Sequence, residues 1–142
     1  MRFCLCLLAL AAAGFAANPK ASTTLNGKLL IKEGQPPRIE TADQTLVTLA
    51  GDDTTSKVLT DKRLDGFEVQ AKGHFTSPGH FLIDPSYNHS LLVRKDGKLK
   101  LIAYWCDTCS IRAYTPGACV CCQRETTLDL IDPDKPPADG QP

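Results

Sequence analysis

The chain has 142 residues, of which 42% are hydrophobic, and this is enough for one domain with an ordinary core. Its 16 lysines and arginines are balanced by 16 aspartates and glutamates, so composition supplies no basic surface and we expect no nucleic-acid partner. Ten glycines and ten prolines predict many turns, which favours an all-β fold.

The first 16 residues are typical of a secretory signal peptide. Arg2 precedes an apolar run at residues 3–13, and Gly14 and Ala16 supply the small residues of a cleavage site after residue 16. The apolar run is too short to cross about 30 Å of hydrocarbon, so we expect no membrane span in the mature chain. These features predict an exported protein, periplasmic or extracellular, in an environment that oxidises thiols.

The mature chain is expected to form one domain. Residues 17–24 resemble a flexible lead-in, and residues 132–142, rich in proline and charge, are predicted to be a disordered tail. The range 25–131 between them then holds a single β-barrel domain.

Alternation of apolar and polar residues predicts short strands at residues 25–31, 39–41 and 47–49. The stretch TTSKVLTDKRLDG, residues 54–66, predicts the one short helix, with Thr54 capping its start and Gly66 ending it. The clearest alternation of the chain follows in FEVQAKGHF, residues 67–75, which predicts a long strand.

Asp96-Gly97 indicates a β-hairpin, because this dipeptide favours the two-residue turns that join antiparallel strands. Such a turn would pair Arg94 with Leu99 and Leu92 with Leu101. Leu91, Val93 and Ile102 would then share the opposite face, which is too apolar for solvent. We expect the cysteine-rich segment that follows to cover this face, and TTLDLID to add a last strand.

Many short strands and one helix predict a small closed barrel, because closure leaves no exposed sheet edge. The stretch DKRLDGFEVQAKGHF resembles the strand that crosses oligonucleotide/oligosaccharide-binding (OB) barrels of exported bacterial proteins. The stretch YWCDTCSIRAYTPGACVCCQ, residues 104–123, is similar to a segment of small uncharacterised exported bacterial proteins. The resemblance implies an OB-like barrel with a C-terminal cysteine-rich hairpin module and implies no activity.

Five cysteines fall within this module, and two others, Cys4 and Cys6, belong to the predicted signal peptide. The five are Cys106, Cys109, Cys119, Cys121 and Cys122. The spacing C-x2-C-x9-C-x2-C, which leaves Cys121 over, is typical of two tight turns that present four thiolates to one zinc ion. If residues 119–122 formed a strand, Cys121 would replace Cys122 in the ligand set, because neighbouring side chains then point to opposite faces.

Two other states of these sulfurs stay open. Two disulfides would suit an exported protein, and the odd fifth cysteine would then be free or would join two chains as a dimer. Alternatively, the thiols would perform redox chemistry or bind copper, since soft thiolates also select Cu(I).

The remaining residues suggest no reaction. His74 and His80 lie on either side of a turn and would form a joint metal site only if the loop length placed them opposite each other. The sequence has no Gly-x-Ser-x-Gly elbow, phosphate loop or dinucleotide fingerprint. We therefore predict an exported, non-catalytic binding or structural protein with a cysteine-coordinated zinc site, and the identity of its ligand or protein partner stays open.

Overall fold

A computed structural model describes residues 21–134 of the chain, so the predicted signal peptide and residues 135–142 of the predicted tail lie outside the described residues. The described part contains nine strands, two α-helices and one 3-10 helix. In chain order these elements are β1 (Thr23–Leu30), β2 (Arg38–Glu40), β3 (Leu46–Ala50), α1 (Asp53–Leu59), the 3-10 helix (Lys62–Leu64), β4 (Glu68–Ser77), β5 (His80–Ile83), α2 (Tyr87–Ser90), β6 (Leu91–Lys95), β7 (Lys98–Cys106), β8 (Ile111–Ala113) and β9 (Thr127–Ile131).

The first five strands close into a barrel. Antiparallel pairs join β1 to β2, β2 to β3 and β5 to β4, whereas β3 and β5 run parallel. The antiparallel pair between β1 and β4 closes the ring. The prediction of an all-β fold with a small OB-like barrel is therefore confirmed.

Two glycines allow strands to change partners at the closure of the barrel. Gly27 lies where β1 passes from β4 to β2, and a Cβ there would collide with the main-chain oxygen of Glu40. Gly73 pairs with both β1 and β5, and a Cβ there would collide with the main-chain oxygen of Leu82. Glycine in these strands therefore reflects close backbone approach.

The helical segment between β3 and β4 is shorter than predicted. Asp52, and not Thr54, caps α1, because its carboxylate accepts a hydrogen bond of 2.8 Å from the Thr55 N–H. The helix ends at Leu59, and the side chain of Asp61 then caps the separate 3-10 turn by accepting from the Arg63 N–H. The expected single helix over residues 54–66 was wrong in its extent, because these aspartates offer the backbone local hydrogen bonds that begin new turns.

The sheet continues beyond the barrel through β6, which pairs with β4. Around the turn at Asp96 and Gly97, where both residues have positive φ, Leu92 pairs with Leu101 and Arg94 with Leu99. The predicted hairpin register is therefore confirmed. Farther along, β7 pairs with β8 and, on its other edge, with β9.

One hydrophobic core fills the barrel and extends under β6 and β7. Leu91, Val93 and Ile102 are fully buried in this core, together with Val58 and Leu59 of α1. These residues share one core with the barrel strands, and the cysteine-rich module contributes Tyr104 and Ala113 to that core, so the module covers only part of this face.

The ends of the domain differ slightly from the sequence-based boundaries. Thr23 and Thr24, expected in the lead-in, belong to β1 because they pair with Gly73 and Lys72. Asp132, the first residue of the predicted tail, accepts a hydrogen bond from Lys100. Among the helices of residues 21–134, none combines the length and the apolar character that a bilayer crossing requires.

Candidate metal centre

The hairpin of β7 and β8 forms the first cysteine turn. We name residues 106–110 the first knuckle and residues 119–123 the second knuckle. In the first knuckle the Ser110 N–H donates to the Cys106 carbonyl at 2.8 Å, and Ser110 has a φ of 53°. This closed turn brings both cysteines of C-x2-C to the same side of the backbone.

The second knuckle repeats this geometry. The Gln123 N–H donates to the Cys119 carbonyl at 2.9 Å, and Gln123 has a φ of 59°. An antiparallel bridge between Ala118 and Glu125 brackets the turn. In both knuckles the fifth residue donates its N–H to the carbonyl of the first residue and has a left-handed backbone conformation. Two turns of the same geometry therefore face each other.

The loop that contains the second knuckle is attached to the barrel by polar contacts. Thr126 donates from its hydroxyl to the Gly117 carbonyl at 2.8 Å, and its own carbonyl accepts from the Arg63 guanidinium at 2.6 Å. The Tyr87 hydroxyl donates to the Tyr114 carbonyl at 2.6 Å. These contacts fix both ends of the loop, and the cysteines lie between them.

Four sulfur atoms converge between the knuckles. The Sγ atoms of Cys106, Cys109, Cys119 and Cys122 all lie within 4.8 Å of one another, and those of Cys106 and Cys122 are 3.5 Å apart. A tetrahedral ion with metal–sulfur bonds near 2.3 Å places its sulfurs about 3.8 Å apart. All five cysteines of the module are free thiols. Even the 3.5 Å between the sulfurs of Cys106 and Cys122 is far longer than the S–S bond of a disulfide, about 2.05 Å. This cluster could hold a metal ion.

Backbone N–H groups face the first sulfur of each knuckle. In the second knuckle the N–H groups of Cys122 and Cys121 lower the pKa of Cys119 to about 7. In the first knuckle the Cys109 N–H lowers the pKa of Cys106, but burial and the thiols of Cys122 and Cys119 outweigh it and raise that pKa. The thiols of Cys121 and Cys122 raise the pKa of Cys109 strongly. Four thiols in this space therefore ionise together only if a cation offsets their charge.

The aromatic residues before the first knuckle pack the site against the domain. Tyr104 is fully buried in the core, with the Arg63 guanidinium 5.1 Å from its ring centroid. Trp105 is 7% exposed. The Arg112 guanidinium lies over its ring, with the guanidinium carbon 5.3 Å from the ring centroid. Arg112 also donates to Asp129 of β9 at 3.2 Å.

The structure brings together four of the five predicted cysteines. Cys121 is exposed and lies outside the mutual group of four, because residues 119–122 form a turn and not a strand. His74 lies opposite Leu82 and 3.8 Å from Asp84, whereas His80 pairs with Ser77. Within the described residues, the group that could hold a metal consists of cysteines without histidine.

Ser110 and Gln123 were missed as site residues by the sequence reasoning. Each directly follows the second cysteine of a C-x2-C pair, a position where a closed turn requires positive φ, and this spacing was the available signal. A non-glycine residue in the left-handed region costs about 1–2 kcal/mol.

Replacement of Ser110 by glycine is therefore expected to stabilise the protein by about 0.5–1 kcal/mol after the entropy cost of glycine is subtracted. Urea unfolding of the metal-loaded protein measures this change. Ser110→Ala is the matched control, because it removes the same hydroxyl and keeps the strain. Equal stabilities of the two variants would show that the turn is not strained.

No protein-family model, curated protein or solved structure matches the chain. The resemblance to exported bacterial proteins therefore stays a prediction. The assignment of a candidate metal centre therefore rests on the geometry of the two knuckles alone. The two turns are of the same kind, and together they present four sulfur ligands.

Proposed function

We propose that this protein is an exported, non-catalytic binding or structural protein in which Cys106, Cys109, Cys119 and Cys122 hold one zinc ion. The observation that supports this proposal is the mutual approach of four Sγ atoms within 4.8 Å. Their spacing is close to the sulfur–sulfur edge of a tetrahedral zinc site, about 3.8 Å.

The ligand chemistry favours zinc and a structural role. Four thiolates in a tetrahedral arrangement select zinc or iron, whereas copper(I) sites share the preference for sulfur without requiring four ligands. Four protein ligands also fill the coordination shell, so no position is left for water or substrate. A closed site of this type stabilises a fold and does not activate a reactant.

The part of the cysteine-rich segment that follows the buried Trp105 and Cys106 lacks a hydrophobic core of its own. Within residues 107–125, Cys119 alone is buried, and Ile111, Tyr114 and Val120 expose large parts of their side chains. Ordering so many residues costs conformational entropy that this little burial does not offset. A metal ion that joins the two knuckles would supply the missing stabilisation.

Export is proposed from the N-terminal pattern, with Arg2 before an apolar run and small residues near position 16. In an oxidising compartment, free thiols tend to form disulfides. Bound zinc would occupy the four thiolates of the cluster and thereby compete with their oxidation. The alternative is a module in which the same cysteines form two disulfides and bind no metal.

Elemental analysis of the protein isolated from the exported fraction tests this proposal, together with thiol titration under denaturing conditions. We expect one zinc ion per chain and five titratable thiols once a chelator is present. A metal-free chain with a single thiol would instead establish the disulfide-linked module. Stoichiometric copper would establish the copper-binding alternative, and recovery only from the cytosol would contradict export.

A further inference from the structure

A cleft of about 330 Å³ is bordered by the starts of α1 and α2 and by the loop that follows β8. This volume is at the lower end of the range of small-molecule sites, about 300–1,000 Å³. None of the residues that line the cleft is a cysteine of the candidate metal centre, so the cleft is a separate feature of the molecule. The lining consists of Asp52, Thr54, Ser86, Tyr87, Asn88 and Tyr114.

Tyr114 supplies an exposed aromatic residue to this lining. It directly follows β8 and is 51% exposed. Its main-chain carbonyl accepts a hydrogen bond of 2.6 Å from the hydroxyl of Tyr87, which is buried. The backbone of Tyr114 is therefore fixed to the barrel, whereas about half of its surface stays in contact with solvent. A ring held in this way loses little conformational entropy when a flat apolar surface packs against it.

The polar side chains of the lining have unused hydrogen-bonding capacity. In the part of the chain that the structure describes, the side chains of Thr54, Ser86 and Asn88 form no hydrogen bond. Ser86 also has a left-handed backbone conformation, with φ of 65° and ψ of 68°, which is unfavourable for a residue other than glycine. Asp52 adds a carboxylate, which accepts a hydrogen bond of 2.8 Å from the Thr55 N–H. Hydroxyl, amide and carboxylate groups thus surround a small volume beside an exposed aromatic residue.

We propose that this cleft binds a neutral saccharide, with a pyranose ring packed on Tyr114 and its hydroxyl groups hydrogen-bonded to Asp52 and Asn88. A pyranose ring carries apolar C–H groups on its faces and hydroxyl groups around its edge. It therefore requires an aromatic surface beside side chains that both donate and accept hydrogen bonds. The inference goes beyond the proposed metal centre, because it names a ligand class for a different site, and its test does not require a bound metal.

The chemistry of the lining disfavours other classes of ligand. The lining contains no lysine or arginine, and the carboxylate of Asp52 repels an anion. An apolar ligand would cover polar side chains and leave them without hydrogen-bond partners. An ammonium ligand is typically enclosed by several aromatic faces, but Tyr87 is only 3% exposed, so Tyr114 alone offers an accessible ring.

Calorimetric titration of the purified protein with cellotriose and with chitotriose tests the proposal. We expect one of these neutral trisaccharides to bind, and saturation-transfer NMR to show contact with the protons of a sugar ring. Tyr114→Ala should weaken binding about three- to ten-fold, because it removes the aromatic ring and retains the carbonyl that bonds to Tyr87. Phe75→Ala is the matched control, since Phe75 is 42% exposed and lies outside the lining, and it should bind as tightly as the wild-type protein.

Asn88→Ala provides a second measurement that leaves the aromatic ring in place, and it should also weaken binding because an amide partner of the hydroxyl groups is lost. Absence of binding of both trisaccharides at millimolar concentrations would overturn the proposal. Equal affinities of the wild-type protein and Tyr114→Ala, or binding of choline in place of the saccharides, would overturn it as well. A protein that binds a trisaccharide but no metal would contradict the proposed function alone and support the saccharide site.

Discussion

Replacement of Cys119 by serine is expected to abolish stoichiometric metal binding and to destabilise the protein. Cys119 is buried, and its sulfur accepts a hydrogen bond from the Cys121 N–H at 3.4 Å, so a hydroxyl there removes a thiolate from the centre of the cluster. If free metal exceeds the dissociation constant about 1,000-fold, binding contributes about 4 kcal/mol, and its loss lowers the melting temperature by about 10 °C or more. Calorimetry of the metal-loaded proteins measures this difference.

Cys121→Ser is the matched control for this experiment. It makes the same chemical change two residues away, at an exposed thiol outside the group of four. We expect Cys121→Ser to retain one metal ion and a melting temperature close to that of the wild-type protein. Chelation of the wild-type protein should lower its melting temperature to that of Cys119→Ser. If Cys121→Ser lost the metal ion and Cys119→Ser retained it, the assigned set of ligands would be contradicted.

Replacement of Phe81 by alanine is expected to destabilise the barrel by about 3–5 kcal/mol, which is the usual cost of truncating a buried phenylalanine. Phe81 lies on β5 and is 1% exposed, and its ring meets that of Phe75 edge to face at a centroid distance of 5.1 Å. Truncation would leave a cavity beside the parallel pair of β3 and β5 that helps to close the barrel. Urea unfolding gives the free energy of unfolding, and an unchanged m-value would show that the same cooperative unit unfolds.

Phe75→Ala separates the ring contact from burial. Phe75 is 42% exposed, so its truncation should cost only the edge-to-face contact and part of its burial, about 0.5–1.5 kcal/mol. Both variants should retain the metal stoichiometry of the wild-type protein, because neither ring belongs to the two knuckles. Equal losses of stability would show that the buried Phe81 contributes no more to the core than the exposed Phe75.

Local sequence patterns predicted much of this fold. Asp96-Gly97 fixed the register of β6 and β7, because positive φ at two adjacent residues selects one turn. The alternation in FEVQAKGHF predicted β4, the longest strand of the barrel. The two C-x2-C pairs predicted turns that each present two sulfurs. In every case the decisive interactions join residues that are close in the chain.

Features that depend on distant residues were not predictable in the same way. Whether Cys121 or Cys122 joins the cluster depends on how residues 119–123 turn relative to the hairpin of β7 and β8. The face of Leu91 became part of the core only because β6 pairs with β4 and continues the barrel. Strand alternation defines two faces of a sheet, but it does not determine which other element covers each face.

The amino-acid sequence by itself determined the elements, namely short strands, the hairpin turn and two cysteine pairs with metal-ligand spacing. Tertiary structure alone decided that β1 and β4 close the barrel and that sulfurs from the two knuckles meet. The reason is that turn geometry and side-chain alternation are properties of a few consecutive residues. Barrel closure and the meeting of two turns depend on pairings between residues far apart in the chain, which alternation and spacing do not specify.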